Sequence, residues 1–128
     1  MERDPLTYAI IGCAMRVHNK LGPGFQELIY NRALAIELKR AGLEFETELP
    51  HPVLYDGIEI GQRRADFVVD GTLVVELKAV AELTDLHLVQ TKNYTSIYDY
   101  THGLLINFGG RSLQYKLVFN PKLRSKAS

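Results

Sequence analysis

Residues 65–78 have the sequence ADFVVDGTLVVELK, which is two apolar runs joined by an Asp-Gly pair. Asp-Gly between apolar runs is a signal for a β-hairpin. The second run, Leu73 to Lys78, is apolar on both faces except for one charged pair. Such a strand is typically central in its sheet. We therefore expect a hairpin whose second strand lies in the middle of the fold.

The charged pair on that strand is Glu76 and Lys78, two residues apart. A strand repeats every second residue, so both side chains lie on the same face. Burial of an unpaired carboxylate or ammonium costs several kcal/mol. Either this face is open to solvent, as is common for such strands, or the pair meets a counter-ion, for which a metal would serve.

Asp66, on the preceding strand, shares this face only if the turn has an odd number of residues. A two-residue loop pairs Asp66 with Val75 and places Asp66 and Glu76 on opposite faces of the sheet. A three-residue loop, with a type I turn followed by Gly71 in the left-handed bulge position, places them on one face. We predict the odd-length loop.

With that geometry, Asp66, Glu76 and the backbone carbonyl of Leu77 offer hard oxygen ligands of the kind that Mg²⁺ or Mn²⁺ takes. Such an ion would polarise a phosphodiester and lower the pKa of a bound water. Lys78 would orient that water or offset charge that develops at phosphorus. The sequence thus indicates a candidate site for phosphodiester hydrolysis.

Two helices precede this hairpin. The first, residues 6–21, has apolar residues at steps of three and four, and the second spans about residues 25–41 before Gly42 in a left-handed cap position. The residues of the second helix that we expect to face inward are Leu28, Ile29, Ala33, Ile36 and Leu38.

Short β-rich runs follow at 43–49, 53–55, 58–60, 65–69 and 73–80, and we interpret them as a three-stranded antiparallel meander. Thr84 is suited to cap a third helix over about 85–98, with Leu86, Val89, Asn93 and Ile97 on one stripe. Strands at 103–108 and 111–119 complete the order ααβββαββ. This pattern predicts an α+β fold with a central, mainly antiparallel sheet.

Composition limits the classes of protein. With 128 residues, 46% hydrophobic and 23% charged, the chain fits one globular domain, with a core of about residues 6–120 and a polar tail at 121–128. No apolar run approaches the roughly 20 residues that span a bilayer, and the N-terminus lacks a secretory signal. The lone Cys13 excludes an internal disulfide and a multi-cysteine zinc site. These features favour a cytoplasmic protein.

Charge gives no strong indication of a partner, because Lys+Arg and Asp+Glu both number 15. The molecule as a whole lacks the basic field that drives non-specific binding of nucleic acid. Any such binding has to be local, and the candidate cations are equally compatible with scattered solubilising charges. Those candidates are Arg63, Arg64, Lys78, Lys92 and the tail residues Lys122, Arg124 and Lys126.

The motifs resemble the PD-(D/E)XK nuclease superfamily, through Asp66, then Glu76-Leu77-Lys78, then Gln90 on the next helix. The resemblance is closest to its GxxExxY family. The matching segments are GFQELIY at 24–30, VHNKLGPG at 17–24, QTKNY at 90–94 and GLLINF at 103–108. Residues 95–102 depart from the usual Leu-Lys-Leu-Thr-Gly-like segment of that family.

The resemblance implies a restriction-endonuclease-like core with a mixed sheet between helices, and a DNA or RNA substrate. Asp66 and Glu76 would be metal ligands, and Lys78 the catalytic lysine. Glu27 would reach the metal directly or through water, and Gln90 would brace the lysine or the attacking water. The residues that would lie beside these as accessories are Tyr30, next to Glu27, and Tyr94, on the same helix face as Gln90.

Each of these residues also has a simpler interpretation. Glu27 in a first helical turn complements the helix dipole, and His18, a further accessory candidate, does so near a helix C-terminus. Tyr30 and Tyr94 could be amphipathic packing residues. Gln90 could be a surface amide.

Three hypotheses follow. The first is a Mg²⁺-dependent (or Mn²⁺-dependent) phosphodiesterase of nuclease type. The second is a catalytically silent module that binds nucleic acid or protein, which the neutral net charge favours. The third is a structural subunit whose polar cluster joins the second helix to the sheet. Edge strands leave formation of a homodimer open.

Overall fold

The computed structural model describes residues 4–122. Over this range the elements follow the order ααβββββαββ. The helices are α1 (Pro5–Leu21), α2 (Glu27–Arg40) and α3 (Asp85–Tyr98). The strands are β1 (Phe45–Thr47), β2 (Pro50–Tyr55), β3 (Ile58–Arg64), β4 (Phe67–Val69), β5 (Leu73–Lys78), β6 (His102–Asn107) and β7 (Gln114–Phe119).

Five of the strands form one mixed sheet in the order β1-β4-β5-β6-β7. The central position of β5 and the α+β class are confirmed. β5 and β6 run parallel, and the other neighbours in this sheet are antiparallel. A parallel pair needs a crossover connection, which α3 supplies between β5 and β6.

The expected three-stranded meander is wrong. β2 and β3 pair only with each other, around Asp56-Gly57, and form a separate two-stranded ribbon, while β4 pairs with β1 and β5. The five β-rich runs are therefore five strands shared between two sheets. Local turn signals place β2 beside β3 correctly, but they contain no information on the long-range pairing of β1 with β4.

The helices cover both faces of the main sheet. α1 and α2 pack on one face, where the core contains Ile10, Leu34, Phe67, Val75 and Leu104 among others. α3 covers the other face, where its Tyr98 packs with Ala65, Val68 and Val74. Asp4 is the N-cap of α1: its side chain accepts a hydrogen bond from the Leu6 N–H, and Pro5 is the first helical residue.

The inward face of α2 differs from the prediction. Leu28, Ile29 and Ile36 are exposed, Ala33 is half-buried and Leu38 is buried. The buried residues of the helix are Tyr30, Leu34, Glu37 and Leu38. The prediction failed because the buried stripe contains a charged residue, Glu37, which a search for apolar positions passes over. The Glu37 carboxylate forms ion pairs with Arg16, Lys20 and Arg40. Gly42 follows the helix with φ 75°, as expected for a left-handed cap.

α3 begins as predicted, with Thr84 in a capping box with His87. The predicted stripe of Leu86, Val89, Asn93 and Ile97 does not face the core, since the first three residues are exposed and Ile97 is half-buried. Thr91, Thr95 and Tyr98 are buried instead. Small side chains are needed there because β6 lies close: a Cβ on Gly103 would be 2.9 Å from the Thr95 methyl carbon.

Within residues 4–122, no helix is both long and apolar enough to cross a membrane. Pro121 and Lys122 are helical, and the rest of the predicted polar tail, 123–128, lies outside the described residues.

Candidate metal centre and nucleic-acid site

The turn between β4 and β5 has the odd length that the shared carboxylate face requires. Val69 is opposite Leu73, so three residues form the loop, and this prediction is confirmed. The expected type I turn is wrong, because Asp70 and Gly71 both have positive φ, 55° and 62°. Positive φ at both central residues is the signature of a type I′ turn. The Thr72 N–H donates to the Val69 carbonyl at 3.1 Å, and Thr72 is the extra residue.

Asp66 and Glu76 are joined by reciprocal hydrogen bonds to backbone. The Asp66 N–H donates to Glu76 Oε1 at 2.8 Å, and the Leu77 N–H donates to Asp66 Oδ2 at 2.8 Å. Both carboxylates therefore lie at the end of the β4–β5 ladder, on the face covered by α3. One oxygen of each carboxylate is used in this way, and the other remains for a ligand. Since the N–H and C=O of a strand residue point to the same side, the Leu77 carbonyl also faces Asp66.

The electrostatics of this pair are unfavourable without a cation. Burial, and then the charge of Asp66, raise the pKa of Glu76 to about 8. Burial, and then the charge of Glu27, raise the pKa of Asp66 to about 6, against the opposing hydrogen bond from Leu77. Both groups thus lose part of their tendency to ionise near neutral pH.

Lys78 lies at the end of β5 on the face of Glu76 and is half-buried. Its charge lowers the pKa of both carboxyl groups. Lys78 is not close enough for an ion pair, and no other lysine or arginine within residues 4–122 lies within 4 Å of either carboxylate. When both carboxyl groups are ionised, the pair therefore needs neutralising charge from elsewhere.

Glu27 is the first residue of α2 and is half-buried. Its charge raises the pKa of both Asp66 and Glu76, so its carboxylate lies within electrostatic reach of both from the other helical layer. The side chains of residues 4–122 contain no group of three His, Cys, Asp or Glu close enough to hold one ion together. Glu27 thus does not form one group with the carboxylate pair in this structure, and its contact with a metal, direct or through water, stays a prediction.

Gln90 and Tyr94 lie one turn apart on α3, and both are half-buried. No hydrogen bond joins Gln90 to Lys78 among the described residues. The Tyr94 hydroxyl donates to the Arg64 carbonyl at 3.3 Å. Burial, and then the charge of Glu76, raise the pKa of Tyr94 to about 12, which places this side chain near the carboxylates.

Tyr30 and His18 have contacts that tie them to the core. Tyr30 is fully buried, donates its hydroxyl proton to the Gly22 carbonyl and stacks on Phe108 with ring centroids 4.8 Å apart. His18 is buried, with Nε2 2.9 Å from the Gly110 carbonyl oxygen. Neither contact involves a carboxylate of the pair, and the accessory roles of Tyr30 and His18 stay predictions.

Two residues that the sequence did not single out hold the site in place. The Asn107 amide accepts from the Val80 N–H at 3.0 Å and donates to the Val80 carbonyl and to Gln114. It therefore fixes the chain just after Lys78, which is opposite Asn107 in the sheet. The Tyr98 hydroxyl accepts a hydrogen bond at 3.1 Å from the N–H of Ala65, the residue before Asp66. The same hydroxyl donates to the Leu49 carbonyl. Asn107 has a sequence signal, as a polar residue within an apolar segment, whereas Tyr98 lies among polar residues and has no such signal.

The donor set fits a divalent ion. Two carboxylates and a strand carbonyl are oxygen ligands of the type that Mg²⁺ and Mn²⁺ prefer. The carboxylates of the half-buried Asp66 and the buried Glu76 also have no cationic partner within the described chain, and an ion of charge +2 would provide one.

Comparison with solved structures shows the fold. The crystal structure of an alkaline exonuclease (LHK-Exo) from Laribacter hongkongensis superposes with a TM-score of 0.56 at 8% sequence identity, covering 99% of this chain and 76% of that chain. The crystal structure of SSO0001 gives a TM-score of 0.48 at 15% identity, covering 94% of this chain and 70% of that chain. Only the first structure has a TM-score above 0.5, and at 8% sequence identity it supports an inference about the fold alone.

Comparison with curated proteins gives no match. The mixed sheet between helices, with paired carboxylates at the end of a central hairpin, has the architecture of a nuclease-type α+β domain. A family model described as the PD-(D/E)XK nuclease superfamily matches residues 4–118. The chain belongs to the PD-(D/E)XK nuclease superfamily.

Proposed function

We propose that this protein is a Mg²⁺-dependent or Mn²⁺-dependent nuclease that hydrolyses phosphodiester bonds of DNA or RNA. The observation that carries the proposal is the pair of hydrogen-bonded, largely buried carboxylates, Asp66 and Glu76, without a cationic partner in the described chain. A purely structural role would not require two such carboxylates side by side. The GFQELIY segment at 24–30, with Glu27 in electrostatic reach of the pair, supports membership of the GxxExxY family.

Asp66, Glu76 and the Leu77 carbonyl would hold the ion, and Glu27 would contact it directly or through water. When bound, such an ion polarises the phosphodiester and lowers the pKa of a bound water. The hydrogen bonds from the Asp66 and Leu77 N–H groups fix both carboxylates before the substrate arrives. This preorganisation removes a reorganisation cost during the reaction.

Lys78 supplies the positive charge on the same face as the carboxylates. From the end of β5 its ammonium group can donate to the attacking water or to a phosphate oxygen, where negative charge develops. Asn107 and Val80 hold the backbone beside it. Gln90 would orient Lys78 or the water once substrate is present.

The test compares cleavage of labelled DNA and RNA by the wild type, Glu76→Ala and Lys78→Ala during titration with MgCl₂ or MnCl₂. We expect Glu76→Ala to lose both metal binding and cleavage. Lys78→Ala should retain metal binding, measured by calorimetry, and lose at least about 100-fold in rate, as for other general acid-base groups. Glu59→Ala, an exposed carboxylate on β3, is the matched control and should behave as the wild type.

Contamination is excluded by purifying the Glu76→Ala protein in parallel. Cleavage that is equally fast in excess chelator would contradict the metal mechanism. The alternative, a silent module that keeps the fold, is favoured by the net charge of +0. It predicts affinity for nucleic acid or for another protein with no product at any metal concentration.

A further inference from the structure

Arg63, near the end of β3, lies over the ring of Tyr94. The guanidinium carbon is 5.6 Å from the ring centroid, a distance at which a cation is attracted to the aromatic face. Tyr94 is itself held by the hydrogen bond from its hydroxyl to the Arg64 carbonyl. The ring thus fixes the position of a guanidinium group that is otherwise on an exposed part of the ribbon.

This guanidinium has no acidic partner. In the described part of the chain, the ion pairs involve only Glu37 and Asp4 as acids, and neither lies with Arg63. Arg63 is therefore a fixed cation whose hydrogen-bond donors are available to a ligand. A planar guanidinium with free donors matches the oxygens of a phosphate.

Tyr94 also connects Arg63 to the candidate metal centre. Arg63 lies over the Tyr94 ring, and the charges of Glu76, Arg63 and Asp66 all act on the Tyr94 hydroxyl, so this side chain is near both the guanidinium and the carboxylate pair. Because successive strand residues point to opposite faces, Arg64 points away from the side of the ribbon on which Arg63 meets Tyr94. His51, opposite Arg63 on β2, faces the same side and lies 4.9 Å from the Tyr98 ring.

We propose that Arg63 binds a backbone phosphate of the nucleic-acid strand and so positions the adjacent phosphodiester at the Asp66–Glu76 pair. This inference rests on the proposed nuclease function. Phosphate contacts fix the register of a strand without reading its sequence. The guanidinium covers the Tyr94 face, so this contact is to the backbone rather than to a stacked base. Arg63 is then a substrate-binding residue, and its neighbour Arg64 is not.

The experiment measures binding of fluorescein-labelled 20-nucleotide single-stranded DNA, single-stranded RNA and duplex DNA by anisotropy, in excess EDTA, between 50 and 300 mM KCl. We expect Arg63→Ala to weaken binding of the preferred probe about 10-fold at low salt, as for loss of one charged hydrogen-bonded contact. The slope of log K against log salt should fall in magnitude by about 0.7 for a single strand or 0.9 for a duplex.

Arg64→Ala is the matched control, with the same change of charge one residue away, and it should retain the affinity and slope of the wild type. Arg63→Lys should restore the slope but only part of the affinity, because an ammonium lacks the planar donor fork. In the cleavage assay with Mg²⁺, Arg63→Ala should raise KM about 10-fold and change kcat less.

The outcomes separate the two proposals. Equal losses in Arg63→Ala and Arg64→Ala, or no loss in either, would overturn the assignment of Arg63 while cleavage by the wild type upholds the nuclease. If the wild type binds none of the three probes, the Arg63 inference is wrong. If the wild type binds and Arg63→Ala weakens that binding, but no metal supports cleavage, the inference stands and the hydrolytic function fails. Melting temperatures equal to that of the wild type show that the variants are folded.

Discussion

Glu76 is only 8% exposed and accepts a hydrogen bond from the N–H of Asp66, whose own negative charge raises the Glu76 pKa. Ionisation of Glu76 therefore costs stability in the metal-free fold. Hydrogen bonds from backbone N–H groups favour the charged forms, but burial outweighs them at both carboxyl groups. A divalent ion would remove this conflict by pairing with both charges. The same residues therefore make the metal-free fold sensitive to pH.

The first prediction concerns that sensitivity. The pKa of Glu76 in the folded state, about 8, is above its ordinary value of 4.5, so the folded protein binds more protons than the unfolded chain between these values. The contribution of Glu76 to stability is therefore fully present below pH 4.5 and is lost as pH rises through about 8. In EDTA, Glu76→Gln should remove much of the fall in melting temperature between pH 5 and pH 8.5.

The difference between the two proteins should be on the order of 5 °C at the alkaline end, measured by thermal unfolding. Comparison of wild type and variant isolates this group from Glu37 and Asp4, whose lowered pKa values act in the opposite sense. Glu59→Gln provides the control for loss of an exposed charge. Parallel pH profiles for wild type and Glu76→Gln would contradict the prediction.

Tyr30 gives the second prediction. Its hydroxyl donates to the Gly22 carbonyl and accepts from the Phe25 N–H at 3.2 Å, inside the core. Tyr30→Phe removes both hydrogen bonds and should lower the free energy of unfolding by about 1–2 kcal/mol. Urea denaturation measures this loss. The rate of cleavage should stay within a few-fold of wild type, and a loss of 100-fold would indicate that Tyr30 has a direct role in the site.

The shared face of the carboxylate pair could be predicted from sequence, whereas for Tyr30 the sequence left a site role and a packing role open. Strand periodicity fixes which side chains share a face, and the loop parity then decides whether Asp66 joins Glu76. Tyr30 follows Glu27 by three residues, which on a helix suggests a neighbour, but burial directs its ring to Phe108. Helix spacing alone does not show which of two adjacent stripes meets the core.

At the level of elements, the same ambiguity explains why the inward face of α2 was predicted wrongly and why the apolar stripe of α3 is not its buried face. α2 has an apolar stripe through Leu28 and Ile36 and a second stripe through Tyr30 and Leu34. The stripe through Tyr30 and Leu34 is the buried one, and it also contains Glu37. Burial of Glu37 is tolerated because cations from α1 and α2 neutralise its carboxylate. α3 buries threonines because β6 approaches closely at Gly103. Both causes are tertiary contacts.

The third prediction concerns the junction of β5, β6 and β7. Asn107 is fully buried and its amide bonds both polar groups of Val80 and the side chain of Gln114. Asn107→Ala leaves the Val80 groups unsatisfied and should cost roughly 2–4 kcal/mol. Because Lys78 lies opposite Asn107, the catalytic rate should also fall, measured at a temperature where the variant is folded.

Gln114→Ala is the control for Asn107→Ala, since it removes a single bond of the network and should cost less. If Asn107→Ala lowers stability but leaves the rate per folded molecule unchanged, the network does not position Lys78. That result would restrict Asn107 to a structural role.

For the molecule as a whole, the main sheet and the ribbon are the two units whose arrangement the sequence could not predict. β1 and β4 pair across an intervening hairpin, and no local signal encodes that contact. The ribbon exposes Leu54, Tyr55, Ile58 and Ile60 and is joined to the sheet near its base. There the Tyr98 hydroxyl donates to the Leu49 carbonyl just before β2 and accepts from the Ala65 N–H just after β3. One hydroxyl thus joins both ends of the ribbon to α3.

The last prediction tests this connection. Tyr98→Phe keeps the ring in its cluster but loses the hydrogen bonds at both ends of the ribbon, which should cost about 1–2 kcal/mol. Hydrogen exchange measured by mass spectrometry should become faster in residues 50–64 and stay unchanged in β5 and β6, because local opening is limited to the segment that lost its contacts. Tyr55→Phe, at the exposed end of β2, is the matched control and should leave exchange as in the wild type. Arg63 and Asp66 lie within two residues of Ala65, whose N–H loses its hydrogen bond to the Tyr98 hydroxyl in this variant. Nucleic-acid affinity and cleavage should therefore both fall in Tyr98→Phe. Unchanged exchange in residues 50–64 would show that the ribbon is held by its packing alone.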